Sequence, residues 1–244
     1  MSTPMAPSKQ SGPARVGFFG GTRVGFFGGT FDPPHRGHVA LARLAMQTLG
    51  LDKVLVAPVA AQPLKRDRQA TPYSDRLAMT RLALGGEPGM ELSDADAPRA
   101  DGKPNYMLET LRELETELPP SAQVFVICGA DAFLTIQQWY CAEELLMRYP
   151  FVIGARPGFD LSRIAQALPE SISVAAEENR EAGLLTLGLR GEQERQSRLY
   201  LLPDLSEDIS ATELREALRR PGAAPEFLDG AVLGYIRAHG LYRD

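Results

Sequence analysis

Two histidines, His35 and His38, stand three residues apart with Gly37 between them, at the end of the stretch RVGFFGGTFDPPHRGH (Arg23–His38). The chain has only three histidines, so finding two here marks the stretch. Imidazole nitrogens can donate hydrogen bonds to phosphate oxygens. Val24 to Phe27 reads as a short buried strand. Gly28, Gly29 and Thr30 are expected to turn the chain, with Phe31 following. Pro33 and Pro34 keep it extended. Val39 to Leu49 reads as a helix, which puts His35 and His38 at or just before its first turn. A strand, a glycine turn and a helix N-terminus make an anion site, because backbone N–H groups and the positive end of the helix dipole point at one place. A second such place is predicted near the C-terminus. In DISATELR, Ser210 is followed three residues later by Glu213, the spacing of a capping box. Thr212 and Arg215 then project from the first turn beside another helix N-terminus.

Other phosphate-binding patterns fit poorly. The run from Gly25 to Thr30 lacks the G-x-G-x-x-G spacing of a dinucleotide fingerprint. No G-x-x-x-x-G-K-[ST] occurs anywhere. Nothing resembles a Ser-His-Asp set. A glycine turn with incidental histidines is the plain alternative, and the length of the combined pattern argues against it.

The elements that must position these groups are those of an α/β protein. The 244 residues and 44% apolar composition suit one large domain with a real core. Val54–Val59 reads as a second parallel strand, so with the Val39–Leu49 helix, closed by Gly50, it forms a βαβ unit. Thr71-Pro72 is expected to cap the next helix, with Tyr73, Leu77 and Leu84 on its inner face and Gly85-Gly86 at its end. Met90–Leu92 reads as a short strand. A helix opens near Pro104, with a buried stripe of Leu108, Leu111, Leu114 and Leu118. Val124–Cys128 and Phe151–Ala155 read as strands, Leu161–Leu168 as a short helix and Leu199–Pro203 as the last strand. Residues 171–198 are expected to be solvated loops around one apolar run, Leu184–Leu189. A final helix spans about Phe227 to His239. The fold class expected is a Rossmann-like doubly wound sheet, mainly parallel, with helices on both faces.

A flexible tail is expected over residues 1–22, followed by a single domain over 23–244. The tail includes the first copy of an exact repeat, RVGFFGGT at Arg15–Thr22 and again at Arg23–Thr30. A single eight-residue repeat is not a solenoid. The net charge of −5 argues against a nucleic-acid polymer as partner, and no run is long enough to cross a membrane. Cys128 and Cys141 form neither a disulfide framework nor a zinc pattern and are expected to be reduced, partly buried thiols. A cytoplasmic protein is expected. Oligomeric state is open, a homo-oligomer included.

GGTFDPPHRGH resembles the signature of the nucleotidylyltransferase superfamily, [HT]-x-G-H, and its F-D-P-x-H form is similar to that of the bacterial nicotinate-nucleotide adenylyltransferases. Ile209, Ser210, Thr212, Leu214 and Arg215 match that family's second signature, I-S-[ST]-T-x-[IL]-R, with Ala211 at a tolerated position. The two motifs occur in the family's order, and the resemblance runs from about Val24 to Arg243. It implies transfer of AMP from ATP to nicotinate mononucleotide in NAD biosynthesis, releasing pyrophosphate. It implies that His35, His38 and Arg215 are catalytic, with Lys65 (Arg66 in reserve) from the basic loop Ala60–Arg68 meeting triphosphate. That loop reads otherwise as a solvated surface loop. ATP would be bound by Gly28, Gly29, Thr30, Phe31, His35, His38, Gly129, Asp131, Ile209, Ser210, Thr212 and Arg215. Nicotinate mononucleotide would meet Gly29, Thr30, Tyr106, Met107, Trp139 and Arg156. No protein metal ligand is expected, and Mg²⁺ would bind mainly through ATP phosphates.

Several of these positions also have a plain structural reading: Asp131 as an N-cap, Asn105 as an N-cap beside a core Tyr106, and Trp139 as a half-buried aromatic. The family usually writes P-S-Y-T where this chain has Pro104-Asn105-Tyr106-Met107, so the threonine hydroxyl is absent. Adenylyltransferases for nicotinamide mononucleotide or phosphopantetheine share the phosphate motifs, and a nucleotide-binding regulator without turnover is the reading outside the enzyme class.

Overall fold

The structure, a computed structural model, describes residues 21–61, 70–181, 183–203, 205, 210–220 and 222–243. Its centre is an eight-stranded sheet. The strands are β1 (Arg23–Gly29), β2 (Lys53–Pro58), β3 (Met90–Leu92), β4 (Gln123–Gly129), β5 (Phe151–Gly154), β6 (Ser173–Glu181), β7 (Leu184–Arg190) and β8 (Gln196–Leu202). Their spatial order is β3-β2-β1-β4-β5-β8-β7-β6. Pairing is parallel from β3 across to β8 and antiparallel at β8–β7 and β7–β6. The order reverses between β1 and β4, and ligands of open α/β sheets bind beyond the carboxyl ends of the strands at such a reversal.

Both faces of the sheet are covered, and the two-residue period of a strand explains how. Val24, Phe26, Val124, Val126 and Cys128 face one way. They pack against Leu108, Leu111 and Leu114 of α3 (Met107–Glu117) and Leu145 and Leu146 of α5 (Ala142–Arg148). Phe27, Phe125 and Ile127 face the other way, against Leu41, Ala42, Ala45 and Leu49 of α1 (Arg36–Leu49). A third cluster joins Met79 of α2 (Tyr73–Leu84), Leu214 of α7 (Ala211–Leu218) and Val232 and Ile236 of α8 (Gly230–Ala238). Two short helices, α4 (Ala130–Phe133) and α6 (Ser162–Gln166), follow β4 and β5. The expected Rossmann-like doubly wound sheet is the observed one.

Four local expectations are corrected. Gly28 and Gly29 do not turn the chain but continue β1, opposite Ala57 and Pro58. The turn falls at Phe31, whose φ is +48°. Helix α1 begins three residues earlier than periodicity suggested, with His35 as N-cap and His38 in its first turn. In α2 the cap is Pro72, not Thr71, and the buried face carries Arg76, Met79, Thr80 and Leu84 rather than Tyr73 and Leu77. An arginine on an inner face breaks an apolar stripe, which hid that face from pattern reading. The cap of α3 is likewise Tyr106 and not Asn105, whose amide donates to the Ala97 carbonyl instead.

The largest correction concerns 171–198, which forms the β6–β7 hairpin and the start of β8 instead of loops. Register shifts between Val174 and Ala176 and between Glu177 and Asn179 break the two-residue alternation. Pairing with β7, whose Leu185 to Leu189 are buried, holds β6 in place. Cys128 is buried as expected, whereas Cys141 is exposed.

Candidate active site

The carboxyl ends of β1, β4 and β5 open into a cleft of about 1470 Å³, larger than the roughly 300–1,000 Å³ usual for one small ligand. Gly28 lies on its floor. A Cβ there would lie 2.9 Å from Met107 Cε, 3.1 Å from Phe26 Cε1 and 3.3 Å from Asp96 Oδ2, so a larger residue would have to displace these side chains. Thr30 and Phe31 continue the floor. The Phe31 ring meets Phe27 edge-on at 5.3 Å and His38 at 4.8 Å.

The two histidines are built into the start of α1. The His35 N–H donates to His38 Nδ1 at 3.2 Å, and the ring centroids are 3.7 Å apart. Because Nδ1 of His38 accepts, its proton sits on Nε2. Burial lowers the pKa of His35 from 6.5 to about 4, with the Arg156 charge adding to the effect. Burial, then His35, holds His38 well below its ordinary value. Both are neutral imidazoles at pH 7.

Opposite them, α7 carries the second group. Glu213 N–H donates to Ser210 Oγ at 3.2 Å, and Ser210 N–H donates to Glu213 Oε2 at 2.8 Å, completing the capping box. The Ser210 hydroxyl itself donates to Glu213 at 2.7 Å. Arg215 donates from Nη2 to Thr212 Oγ1 at 2.8 Å and from Nη1 to the Asp32 carbonyl. That last bond ties the two motifs together across 183 residues of sequence. Along the far wall, Arg156 pairs with Asp131 at 3.2 Å. Trp139 Nε1 donates to Thr135 Oγ1 at 3.1 Å, and the Tyr106 and Tyr140 rings lie 4.7 Å apart.

Comparison with known proteins bears on this arrangement. The family model described as cytidylyltransferase-like matches residues 26–217. A probable nicotinate-nucleotide adenylyltransferase of Gloeobacter violaceus is 38% identical over 229 residues, covering 93% of this chain and 96% of that protein. One of Moorella thermoacetica is 33% identical over 231 residues, covering 95% and 93%. The chain belongs to the nicotinate-nucleotide adenylyltransferase family. A Plasmodium falciparum nicotinic acid mononucleotide adenylyltransferase, solved in complex with NaAD, shares the fold with a TM-score of 0.65 at 18% identity, covering 91% of this chain and 98% of that one.

The described residues expected to act on or bind a substrate line one cleft: Gly28, Gly29, Thr30, Phe31, His35 and His38 from the first motif, Ser210, Thr212 and Arg215 from the second, and Tyr106, Met107, Gly129, Asp131, Trp139 and Arg156 between them. Leu214 of the second motif is buried in the cluster of α2, α7 and α8 instead. Lys65, its reserve Arg66, and Ile209 lie outside the described residues.

The same cleft holds groups to which sequence reasoning assigned no role. Arg76, 1% exposed, donates to three carbonyls, of Thr71 at 2.8 Å, Thr30 at 2.7 Å and Ala60 at 3.3 Å. It clamps the loops that follow β1 and β2 to the start of α2. Asp96, buried at 3% exposure, accepts from Thr110 Oγ1 at 2.6 Å. Burial raises its pKa to about 6, against the lowering effect of that hydrogen bond. Asp32 is buried on the cleft wall. The burial of a lone charged side chain within a loop or on a helix has no periodic signature, so sequence could have flagged Asp32 only through its place in F-D-P.

Proposed function

We propose that this protein is a nicotinate-nucleotide adenylyltransferase that transfers AMP from ATP to nicotinate mononucleotide, giving nicotinate adenine dinucleotide and pyrophosphate in NAD biosynthesis. The observation that carries the reading is the convergence of the His35–His38 pair and the Ser210–Arg215 group on one cleft, together with 31–38% identity to named relatives over most of the chain. The 5′-phosphate of the acceptor attacks the α-phosphorus of ATP. The new P–O bond forms as the bond to the bridging β-phosphate oxygen breaks, and pyrophosphate leaves. The nucleophile is already an anion at neutral pH, so no protein base is needed. Two uncharged imidazoles suit that requirement, because they donate without having to lose a proton.

Catalysis is then positioning and charge stabilisation. His38 donates from Nε2 toward the ATP phosphates and His35 stacks behind it. Arg215, with Thr212 and Ser210, receives the β- and γ-phosphates, and Ser210 turns its hydroxyl from Glu213 to do so. Lys65 adds charge from its loop. Gly28, Gly29, Thr30 and Phe31 let the backbone approach both nucleotides. Gly129 and Asp131 meet the adenosine, as does Ile209. The pyridine ring rests among Tyr106, Met107, Trp139 and Arg156, with the methionine thioether as an adaptable apolar contact.

Nucleotidyltransferases of this kind generally use a divalent metal ion. Among the described residues no three His, Cys, Asp or Glu side chains cluster to hold one. The N–H and O–H donors of the cleft suit phosphate oxygens, and Mg²⁺ would enter with ATP, held mainly through its phosphates and water. The two free thiols are in keeping with a cytoplasmic enzyme. Label placement tests the reaction. With ATP labelled at the α-phosphate, label appears in the dinucleotide, and with β-label it appears in pyrophosphate. Label from the α-position in free AMP, with none in a dinucleotide, would reject the assignment.

A further inference from the structure

The C-terminal segment closes on the phosphate loop from behind. Tyr242 donates its hydroxyl to Asp32 Oδ1 at 2.6 Å, across 210 residues of sequence. Asp32 Oδ2 accepts from the Thr71 N–H at 3.4 Å, its carbonyl accepts from Arg215, and the Arg76 charge lies close enough to be felt. Nearby, the Arg36 N–H at the start of α1 donates to the Phe227 carbonyl at 2.9 Å. Tyr242 has φ +62°, a region that bulky L residues rarely adopt, so the surrounding contacts hold it against its local preference.

Asp32 sets a problem that this contact answers. A buried carboxylate on the wall of a cleft for a triphosphate repels the ligand, and it repels most strongly where water is scarce. A phenolic hydroxyl bonded to it spreads that charge and aims it away from the cleft. We infer that Tyr242 is a positioning residue for ATP binding, holding and tempering the Asp32 carboxylate so that the loop between β1 and α1 accepts the triphosphate. The inference rests on the reading of that loop as the triphosphate site. Tyr235 supplies a natural control. Its hydroxyl also anchors the C-terminal helix, to Asp75 Oδ1 at 2.9 Å, but Asp75 does not line the cleft.

The test is calorimetric binding of Mg-ATP, with thermal unfolding of each protein alongside. Tyr242→Phe and Tyr235→Phe are each expected to lower the unfolding temperature by a similar amount, but Tyr242→Phe raises the ATP Kd five- to tenfold while Tyr235→Phe leaves it within twofold of wild type. In an Asp32→Asn background, where no carboxylate charge remains to temper, Tyr242→Phe is expected to change the Kd less than twofold. A Tyr242→Phe protein with wild-type ATP affinity overturns the inference. So does an undiminished effect of Tyr242→Phe in the Asp32→Asn background, since that is what general loosening of the fold gives. Failure of the wild-type protein to bind ATP would remove the underlying reading and the inference with it. Normal wild-type binding with an unaffected variant removes the inference alone.

Discussion

His38 is an imidazole whose chemistry is fixed by one hydrogen bond. With Nδ1 accepting from the His35 N–H and Phe31 and Phe27 on its flank, it presents a single preorganised N–H. His38→Ala is therefore expected to lower turnover by about 10²–10³, as removal of one such donor does elsewhere. Single-turnover rates with saturating ATP check this, and a loss under threefold would contradict it. Gly28→Ala tests the floor of the cleft. Its Cβ would press on Met107 Cε, Phe26 Cε1 and Asp96 Oδ2 and fill the space through which the backbone approaches both nucleotides, so the KM values for ATP and for the acceptor are both expected to rise about tenfold. Unchanged KM values for both would contradict that role. Histidines and glycines at this spacing were legible because few other arrangements put two imidazoles beside a helix start. Arg76 and Asp96 were not legible, because what defines them is burial against partners distant in sequence, such as Thr30 and Thr110.

Elements set the geometry between the two motifs. The α7 capping box is local, four residues long, and could be read directly from Ser210 and Glu213. Ser210→Ala removes the cap and is expected to cost about 1 kcal/mol of stability, measured by urea unfolding. The start of α2 is the contrasting case. Its position depends on Arg76 reaching three carbonyls on two other loops, which no local pattern encodes. Arg76→Ala removes three part-buried hydrogen bonds at once, so a loss of about 3 kcal/mol is expected. A loss under 1 kcal/mol would mean that water replaces the guanidinium and that the clamp is dispensable. The β6–β7 hairpin was missed for a related reason. Its bulged register erases alternation, and the strand exists because β7 offers it an edge.

At the scale of the whole molecule, three buried groups shape stability against pH. His35 and His38 are neutral in the fold yet protonated in the unfolded chain below about pH 6.5, so their contribution is present above that pH and is lost as pH falls, for His35 toward about 4 and for His38 through its likewise lowered pKa. Asp96 acts in the opposite sense. Its pKa is raised from 3.8 to about 6, so its contribution is present below pH 3.8 and is lost as pH rises through 6. Between about pH 4 and 6 His35 binds one more proton in the unfolded chain and Asp96 one more in the folded chain, so these two oppose, and the lowered pKa of His38 makes stability fall with acid. Asp96→Asn removes the opposing group and is expected to steepen that fall by about 1.4 kcal/mol per pH unit, read by urea unfolding across the range. An unchanged slope would show that Asp96 does not hold its proton in the fold. The architecture was legible at this scale because βαβ units leave long apolar strands and capped helices in alternation. The acceptor's identity is the point on which the sequence speaks least, since Met107 replaces the family's usual threonine. Pyrophosphate release from Mg-ATP, measured in parallel with nicotinate mononucleotide, nicotinamide mononucleotide and phosphopantetheine, addresses it directly. The structure and its family predict kcat/KM at least tenfold higher with nicotinate mononucleotide than with either alternative. A preference for nicotinamide mononucleotide or phosphopantetheine, or no release with any of the three, would contradict the assignment.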